Sequence, residues 1–434
     1  MEALKLEYVG AIDPKVEESA YSKVTWRLVP YLFVCYIFCF LDRVNVGFAK
    51  LQMQQELGFS DTVYGFAAGI FFIGYFVFEI PSNLLLQKVG PRRWIARIMI
   101  TWGIVSALTM YAKSPESFYV YRFLLGILEA GFFPGIILYL TYWYPAHRRV
   151  RITALFMTAI PLSGVIGGPL SGWILDTFSG ASGLSGWQWL FLIEGVPSVI
   201  LGVATLWYLD DRIAASKWLR EEEKQLLEHY ISQENKTKTR HSLRHALLEW
   251  KVWVFALTYF CFTAGVYAMS FWLPQMIKST GVKSALAVGL LTALPCAFAA
   301  VGMVLIGGHS DRTLERRWHI FIVSVVGAMG VVISATYPSS TWIAVLAACA
   351  GWLGAASLVS LFWSVPTAIL TGTAAAAGIA LVNSMGNLSG FVAPYMLGYI
   401  KDATHSLSLG LYFLAGVVVL GGILVLAFGP HRPK

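Results

Sequence analysis

Twelve apolar stretches, each long enough to cross a hydrocarbon core as a helix, fix what this chain can become. They cover residues 26 to 53, 62 to 87, 94 to 112, 116 to 144, 150 to 177, 187 to 209, 252 to 278, 284 to 308, 318 to 337, 340 to 367, 371 to 400 and 407 to 429. A bilayer core of roughly 30 Å takes about 20 helical residues. The runs are continuous rather than alternating, which selects helices over barrel strands. With 57% hydrophobic residues, 13% charged residues and a mean hydropathy of +0.64, a chain of 434 residues has too little polar surface for a soluble globule. An all-α polytopic membrane protein with twelve transmembrane helices is the expected fold.

The basic residues orient it. Of 32 Lys and Arg, five (Lys50, Lys113, Lys278, Lys283, Lys401) fall in one set of loops, Arg43 and Arg122 lie within helices, and the other 25 share the opposite side. The positive-inside rule then places both termini in the cytoplasm. Topology accounts for the net charge of +8 and requires no nucleic-acid partner. The first 23 residues are polar, so the first helix is expected to act as its own insertion signal. Expected divisions are a cytoplasmic tail (1–25), a six-helix bundle (26–209), a cytoplasmic loop with an amphipathic helix over 218–231 (210–251), a second six-helix bundle (252–429) and a short cytoplasmic tail (430–434).

Charged residues deep inside the apolar runs include Asp42, Arg43, Arg122, Glu129 and Glu194, with Glu79 near a helix end. A charge at bilayer depth costs upward of about 2.5 kcal/mol, so such residues mark substrate or ion pathways by default. Arginine keeps its charge and offers a planar fork that fits a carboxylate. Asp42 and Arg43 point about 100° apart around their helix, so one can face a cavity and the other a neighbour. Arg122 and Glu129 lie roughly 10.5 Å apart on one face. The expected arrangement has Arg43 holding a substrate carboxylate while Arg122 competes for Asp42 and Glu129, the two proton-coupling acids. Glu79 is assigned to the neighbouring basic turn and Glu194 to helix packing. Tyr75, Asn383 and Asn387 are candidate substrate contacts, and Trp272 and Trp363 candidate covers for an aromatic one.

The cysteines Cys35, Cys39, Cys261, Cys296 and Cys349 all sit in apolar runs without metal-ligand spacing, and read as packing residues. No phosphate-binding loop, HExxH or GxSxG is present, so neither an enzyme nor an ATP-driven pump is expected, and no metal or cofactor beyond the coupling proton.

Each half carries the same punctuation. NLLLQKVGPRR (83 to 93) and GGHSDRTLERR (307 to 317) follow the second helix of each unit, giving the candidate gate residues Arg92, Arg93, Asp311 and Arg312. LSGVIGGP (162 to 169) and LSGFVAP (388 to 394) mark the fifth helix of each. Two repeated six-helix units are the construction of a secondary transporter with its site between the halves.

These features resemble the major facilitator superfamily. FLDRVNVGFA (40 to 49), GYFVFEIPSN (74 to 83), RFLLGILEAGFFPG (122 to 135) and GWQWLFLIEG (186 to 195) resemble its anion:cation symporter branch, which includes bacterial carriers of tartrate, phthalate, 4-hydroxyphenylacetate and sugar acids. The first basic turn departs from the superfamily pattern, with Asn83 and Gln87 where Gly and Asp are usual. The resemblance implies proton-coupled uptake of an organic anion by a monomer in a bacterial inner membrane, with Asp42 and Glu129 as proton sites and Arg43 as anion ligand. Anion exchange without proton coupling, or a receptor that binds a metabolite without moving it, are the alternatives.

Overall fold

The computed structural model describes residues 14–236, 248–369 and 375–429, and every regular element among them is helical. The N-terminal half holds α1 (Pro14–Val44), α2 (Val46–Leu57), α3 (Asp61–Val89), α4 (Pro91–Leu108), α5 (Pro115–Glu129), α6 (Phe132–Leu140), α7 (Ala146–Met157), α8 (Ala159–Thr177) and α9 (Gly186–Tyr208). After α10 (Glu221–Lys236) come α11 (Trp250–Ser279), α12 (Ala285–Thr313), α13 (Arg317–Thr336), α14 (Thr341–Phe362), α15 (Ser364–Ile369), α16 (Ala375–Asn387), α17 (Ser389–Thr404) and α18 (Leu407–Phe428).

Eleven helices among the described residues are long and apolar enough to cross a membrane. The span expected over 371 to 400 is α16 and α17, and its first residues, 371–374, lie outside the described residues. Several spans are interrupted: α1 from α2 at Asn45, α5 from α6 at Ala130 and Gly131, α7 from α8 at Thr158, and α16 from α17 at Leu388. Turn chemistry sets other ends. Ser60 accepts from the Val63 N–H at the start of α3, a Ser114/Ser117 capping box opens α5, and Pro91 and Pro115 occupy first-turn positions that need no N–H partner.

The polar tail is helical from residue 14 onward; residues 1–13, the link at 237–247 and the tail at 430–434 lie outside the described residues. The amphipathic helix begins three residues later than expected, as α10. Its Leu226 and Leu227 are buried, and Trp218 ahead of it stacks on Trp143 with centroids 5.6 Å apart. Glu223 ties α10 to α1, accepting from Lys23 Nζ at 2.6 Å and from Ser19 Oγ at 3.0 Å. Burial works against its charge, yet Lys23, Ser19 and the Arg220 N–H together hold the carboxyl below the usual range.

The halves meet along two seams, α3 against α17 and α8 against α12, and α11 also packs on α2. At the second seam the backbones nearly touch. A Cβ on Gly289 would lie 2.0 Å from the Gly168 carbonyl oxygen, and one on Gly168 would lie 2.6 Å from that of Gly289. Gly289→Ala therefore forces the seam apart. Overpacking of this kind costs about 1 to 3 kcal/mol, enough to disfavour the closed seam about fivefold or more. The expected result is slower substrate uptake in vesicles with substrate affinity unchanged; an uptake rate equal to wild type would mean the seam does not need to close.

Candidate functional site

Three interrupted spans break beside a polar residue of the predicted site. Asn45 follows Asp42 and Arg43, Ala130 and Gly131 follow Glu129, and Leu388 follows Asn387. Asn45 and Leu388 keep right-handed helical dihedrals and mark kinks, whereas Ala130 and Gly131 leave the helical region; non-helical backbone at membrane depth is tolerated where it lines protein or a cavity. The break after Glu129 requires glycine: Gly131 has φ +86°, and a Cβ there would meet Ser82 Oγ at 2.3 Å.

At the centre, Arg43 and Glu129 form a buried ion pair. Arg43 Nε donates to Glu129 Oε1 at 3.0 Å, Nη2 donates to the same oxygen, and Cys39 Sγ donates to it at 3.2 Å. Glu129 is fully enclosed and Arg43 nearly so, while Glu129 Oε2 has no hydrogen-bond partner. The guanidinium lies over the rings of Phe71, at 5.2 Å, and Tyr75, at 5.4 Å. A buried pair with one carboxylate oxygen unsatisfied does not fully offset its desolvation, so a ligand that offers Arg43 a better-matched carboxylate can compete.

The C-terminal half closes the other side. Tyr267 OH donates to Asn387 Oδ1 at 3.1 Å, its ring packs on Phe72 with centroids 4.3 Å apart, and it lies within electrostatic reach of Arg43. Asn383, one turn earlier on α16, donates to Glu79 Oε1 at 3.4 Å. Glu79 thus belongs to the centre rather than to the basic turn: its carboxylate faces Asn383, feels Arg43, and has a buried unpartnered Oε2. Arg43, Glu129, Tyr75, Asn383 and Asn387 come together between the halves.

Other expected partners are not brought together. Arg122 bonds neither Asp42 nor Glu129. Its Nη2 donates to the Arg43 carbonyl at 3.0 Å and its Nε to that of Ala67 at 3.4 Å, while Nη1 has no partner. It therefore braces the backbone that carries Arg43. Asp42 faces the other way, accepting from Trp102 Nε1 at 3.0 Å, Ser106 Oγ at 2.7 Å and Ser198 Oγ at 2.6 Å, all neutral donors on α4 and α9. Trp272 is fully buried against Lys50, whose Nζ sits 3.5 Å above its ring, and so does not cover the centre. Trp363 packs on Tyr259 with centroids 4.7 Å apart.

The basic turns lie at one end of the helices. The Arg92 N–H donates to Asp211 Oδ1 at 2.9 Å and Asp311 pairs with Arg316; Arg93 and Arg312 stand in the first turn of α4 and the last turn of α12. At the opposite end, which the basic-residue count assigns to the outside, each half lends the other an aspartate. Asp402 accepts from the Asp61 and Thr62 N–H groups at 3.1 and 2.7 Å, at the start of α3. Asp176 accepts from Ser284 Oγ and the Ala285 and Leu286 N–H groups at 2.6, 3.1 and 2.8 Å, at the start of α12. Carboxylates there satisfy orphan N–H groups and complement the helix dipole. Asp61 adds a bridge, receiving Lys50 at 2.6 Å and Lys401 at 3.0 Å. Lys50, expected in a loop, is buried in α2. Sequence reasoning missed this latch, though a signal was present: Asp176 and Asp402 each stand 14 positions after the leucine of their LSG motif, Leu162 and Leu388.

Comparison with known proteins agrees with this architecture. The Major Facilitator Superfamily pattern matches residues 32–394. A protein of Agrobacterium vitis named as a tartrate transporter is 49% identical over 427 residues, covering 98% of this chain and 94% of its own. A protein of Pseudomonas putida named as the metabolite transport protein NicT is 46% identical over 412 residues, covering 94% of each chain. Among solved structures, the xylose transporter XylE from E. coli, in a partially occluded inward-open conformation, superposes with a TM-score of 0.74 over 94% of this chain and 99% of that one, at 14% identity, a likeness of fold alone. Matched by the family pattern over most of its length and by close relatives over nearly all of it, this multi-pass membrane protein belongs to the Major Facilitator Superfamily of transporters.

Proposed function

We propose that the protein is a proton-coupled symporter that takes up an organic carboxylate, of tartrate or related sugar-acid or aromatic-acid type, across a bacterial inner membrane by alternating access. The observation that carries this reading is the buried Arg43–Glu129 pair between the halves. A substrate carboxylate that takes the Arg43 fork displaces Glu129, which is then left as an uncompensated buried charge. Such a charge is costly, and a proton removes it. Substrate and proton therefore enter together. On the side of release the order reverses: Glu129 gives up its proton and reclaims Arg43, expelling the substrate. Tyr75, Tyr267, Asn383 and Asn387 offer hydroxyl and amide contacts to the rest of a hydroxylated acid, with both halves touching it. The closed latch of Asp61, Asp176 and Asp402 is read as the shut outer gate of one alternating state, with the basic turns at the inner one.

The carboxylate names borne by two Agrobacterium vitis relatives support the substrate class. Competition tests it. Unlabelled tartrate, galactonate, phthalate or 4-hydroxyphenylacetate added in excess is expected to block uptake of one labelled member of that set, whereas the corresponding methyl esters leave it unchanged. Equal inhibition by the esters would mean that Arg43 does not read a carboxylate.

A further inference from the structure

Two acids buried at membrane depth lie outside the central cluster, Asp42, which is held by three neutral donors, and Glu194. Glu194 on α9 is 1% exposed. Ser171 Oγ donates to its Oε1 at 2.6 Å, while Oε2 is buried without a partner. The Asn45 amide is its neighbour, itself 1% exposed, and offers the carboxylate a second donor, though neither amide atom is in a hydrogen bond of good geometry. Charged neighbours give no compensation. From α1, Asp42 adds a like charge. From α4, Trp102 and Ser106 are already donated to Asp42. On α8, Asp176 is engaged by α12; on α2, Lys50 is paired with Asp61 and Glu56 accepts from Ser185 and Trp187.

An ionised Glu194 would have the neutral donors Ser171 and Asn45 and, on its other side, the carboxyl of Asp42, with no cation against it, an arrangement that buried charges sustain poorly. With a proton on Oε2, the Asn45 amide can turn its carbonyl to accept the new O–H, so the same neighbour serves the neutral acid as well as the carboxylate. The residues that flank Glu194 also open onto water-sized space. Asn45 and Ser171 line a cavity of about 30 Å³ between the halves, with Ser163, Ser270 and Thr292, and about 10 to 15 Å³ suffices for one water. That cavity touches Gly168 at the seam of α8 and α12.

We propose that Glu194 is a further proton-binding site, loaded from water in this cavity when the α8–α12 seam parts and holding its proton against Asn45. A hydronium gives its proton to Oε2 and leaves as water; the carboxylate becomes neutral, and the reverse step returns the proton to water later in the cycle. The proposal rests on proton-coupled transport, and predicts a proton count above what Glu129 alone supplies.

The test compares wild type with Glu194→Gln, full-length in proteoliposomes, recording labelled tartrate entry and lumenal pH together. The variant is expected to carry tartrate with a lower ratio of protons to substrate, and its infrared spectrum to lack one protonated-carboxyl band seen in wild type. An unchanged ratio, or a band that persists, overturns the assignment. If wild type itself moves labelled tartrate without acidification, proton coupling falls and this site falls with it. That outcome is distinct from equal acidification by both proteins, which removes Glu194 alone. Should Glu194→Gln not fold, Ser171→Ala serves: loss of the hydroxyl that favours the carboxylate shifts the pH midpoint of uptake upward by roughly one unit, and an unmoved midpoint overturns the proposal.

Discussion

Replacing Glu129 with Gln is expected to abolish uphill accumulation while leaving exchange of labelled for unlabelled substrate intact. The amide keeps the shape that faces Arg43 and Cys39 but can neither load nor release a proton. With the vesicle interior one pH unit more alkaline and one proton coupled, the accumulation ceiling is about tenfold, because 1.4 kcal/mol is a factor of ten. The variant should reach a ratio of about one, the value for an uncoupled carrier. Its substrate affinity should also lose dependence on pH, since Arg43 no longer has to be taken from an anionic rival. Accumulation equal to wild type would remove Glu129 from coupling.

Arg43→Lys is expected to have the largest effect on binding. The positive charge survives, so Glu129 is not left alone and the fold is retained, but the planar fork is lost. A hydrogen bond to a charged group contributes about 1.5 to 3 kcal/mol, so substrate affinity should fall about tenfold to a hundredfold. Arg122→Lys is the contrast. Arg122 donates to backbone carbonyls of Arg43 and Ala67, so its conservative replacement should lower thermal stability more than affinity. Direct binding measurements on both purified variants separate the two. A smaller loss for Arg43→Lys than for Arg122→Lys would exchange their roles.

The fold was legible because hydropathy alone dictates spanning helices, and because the doubled LSG and basic-turn signals expose a repeat. The central pair was partly legible. Arg43 and Glu129 stand out as charges at membrane depth, and Tyr75, Asn383 and Asn387 converge on them from α3 and α16. What sequence could not give was the choice of neighbour. Asp42 and Arg43 were known to diverge around one helix, but nothing in the chain says that Trp102, Ser106 and Ser198 would meet the aspartate. Helical periodicity fixes a face and is silent about which of eleven other helices lies opposite. The partners of Arg122 in this state are hidden for a related reason: they are carbonyl oxygens, which every residue has and no sequence pattern marks. Lys50 is counted with the loops because it stands near the end of the first apolar run, yet α2 continues past it and the Trp272 ring and Asp61 receive its charge.

The central claim is that substrate and proton move together through exchange at Arg43 and Glu129. The most direct measurement is lumenal pH in proteoliposomes holding the purified protein, while tartrate, galactonate, phthalate and 4-hydroxyphenylacetate are added outside in turn. Acidification with one of these acids, absent from empty vesicles and from vesicles holding Glu129→Gln, is the expected result. Exchange of a labelled acid against its unlabelled form with no acid changing lumenal pH would contradict it, and would make the protein an anion exchanger in which the Arg43–Glu129 pair has no part in proton transfer.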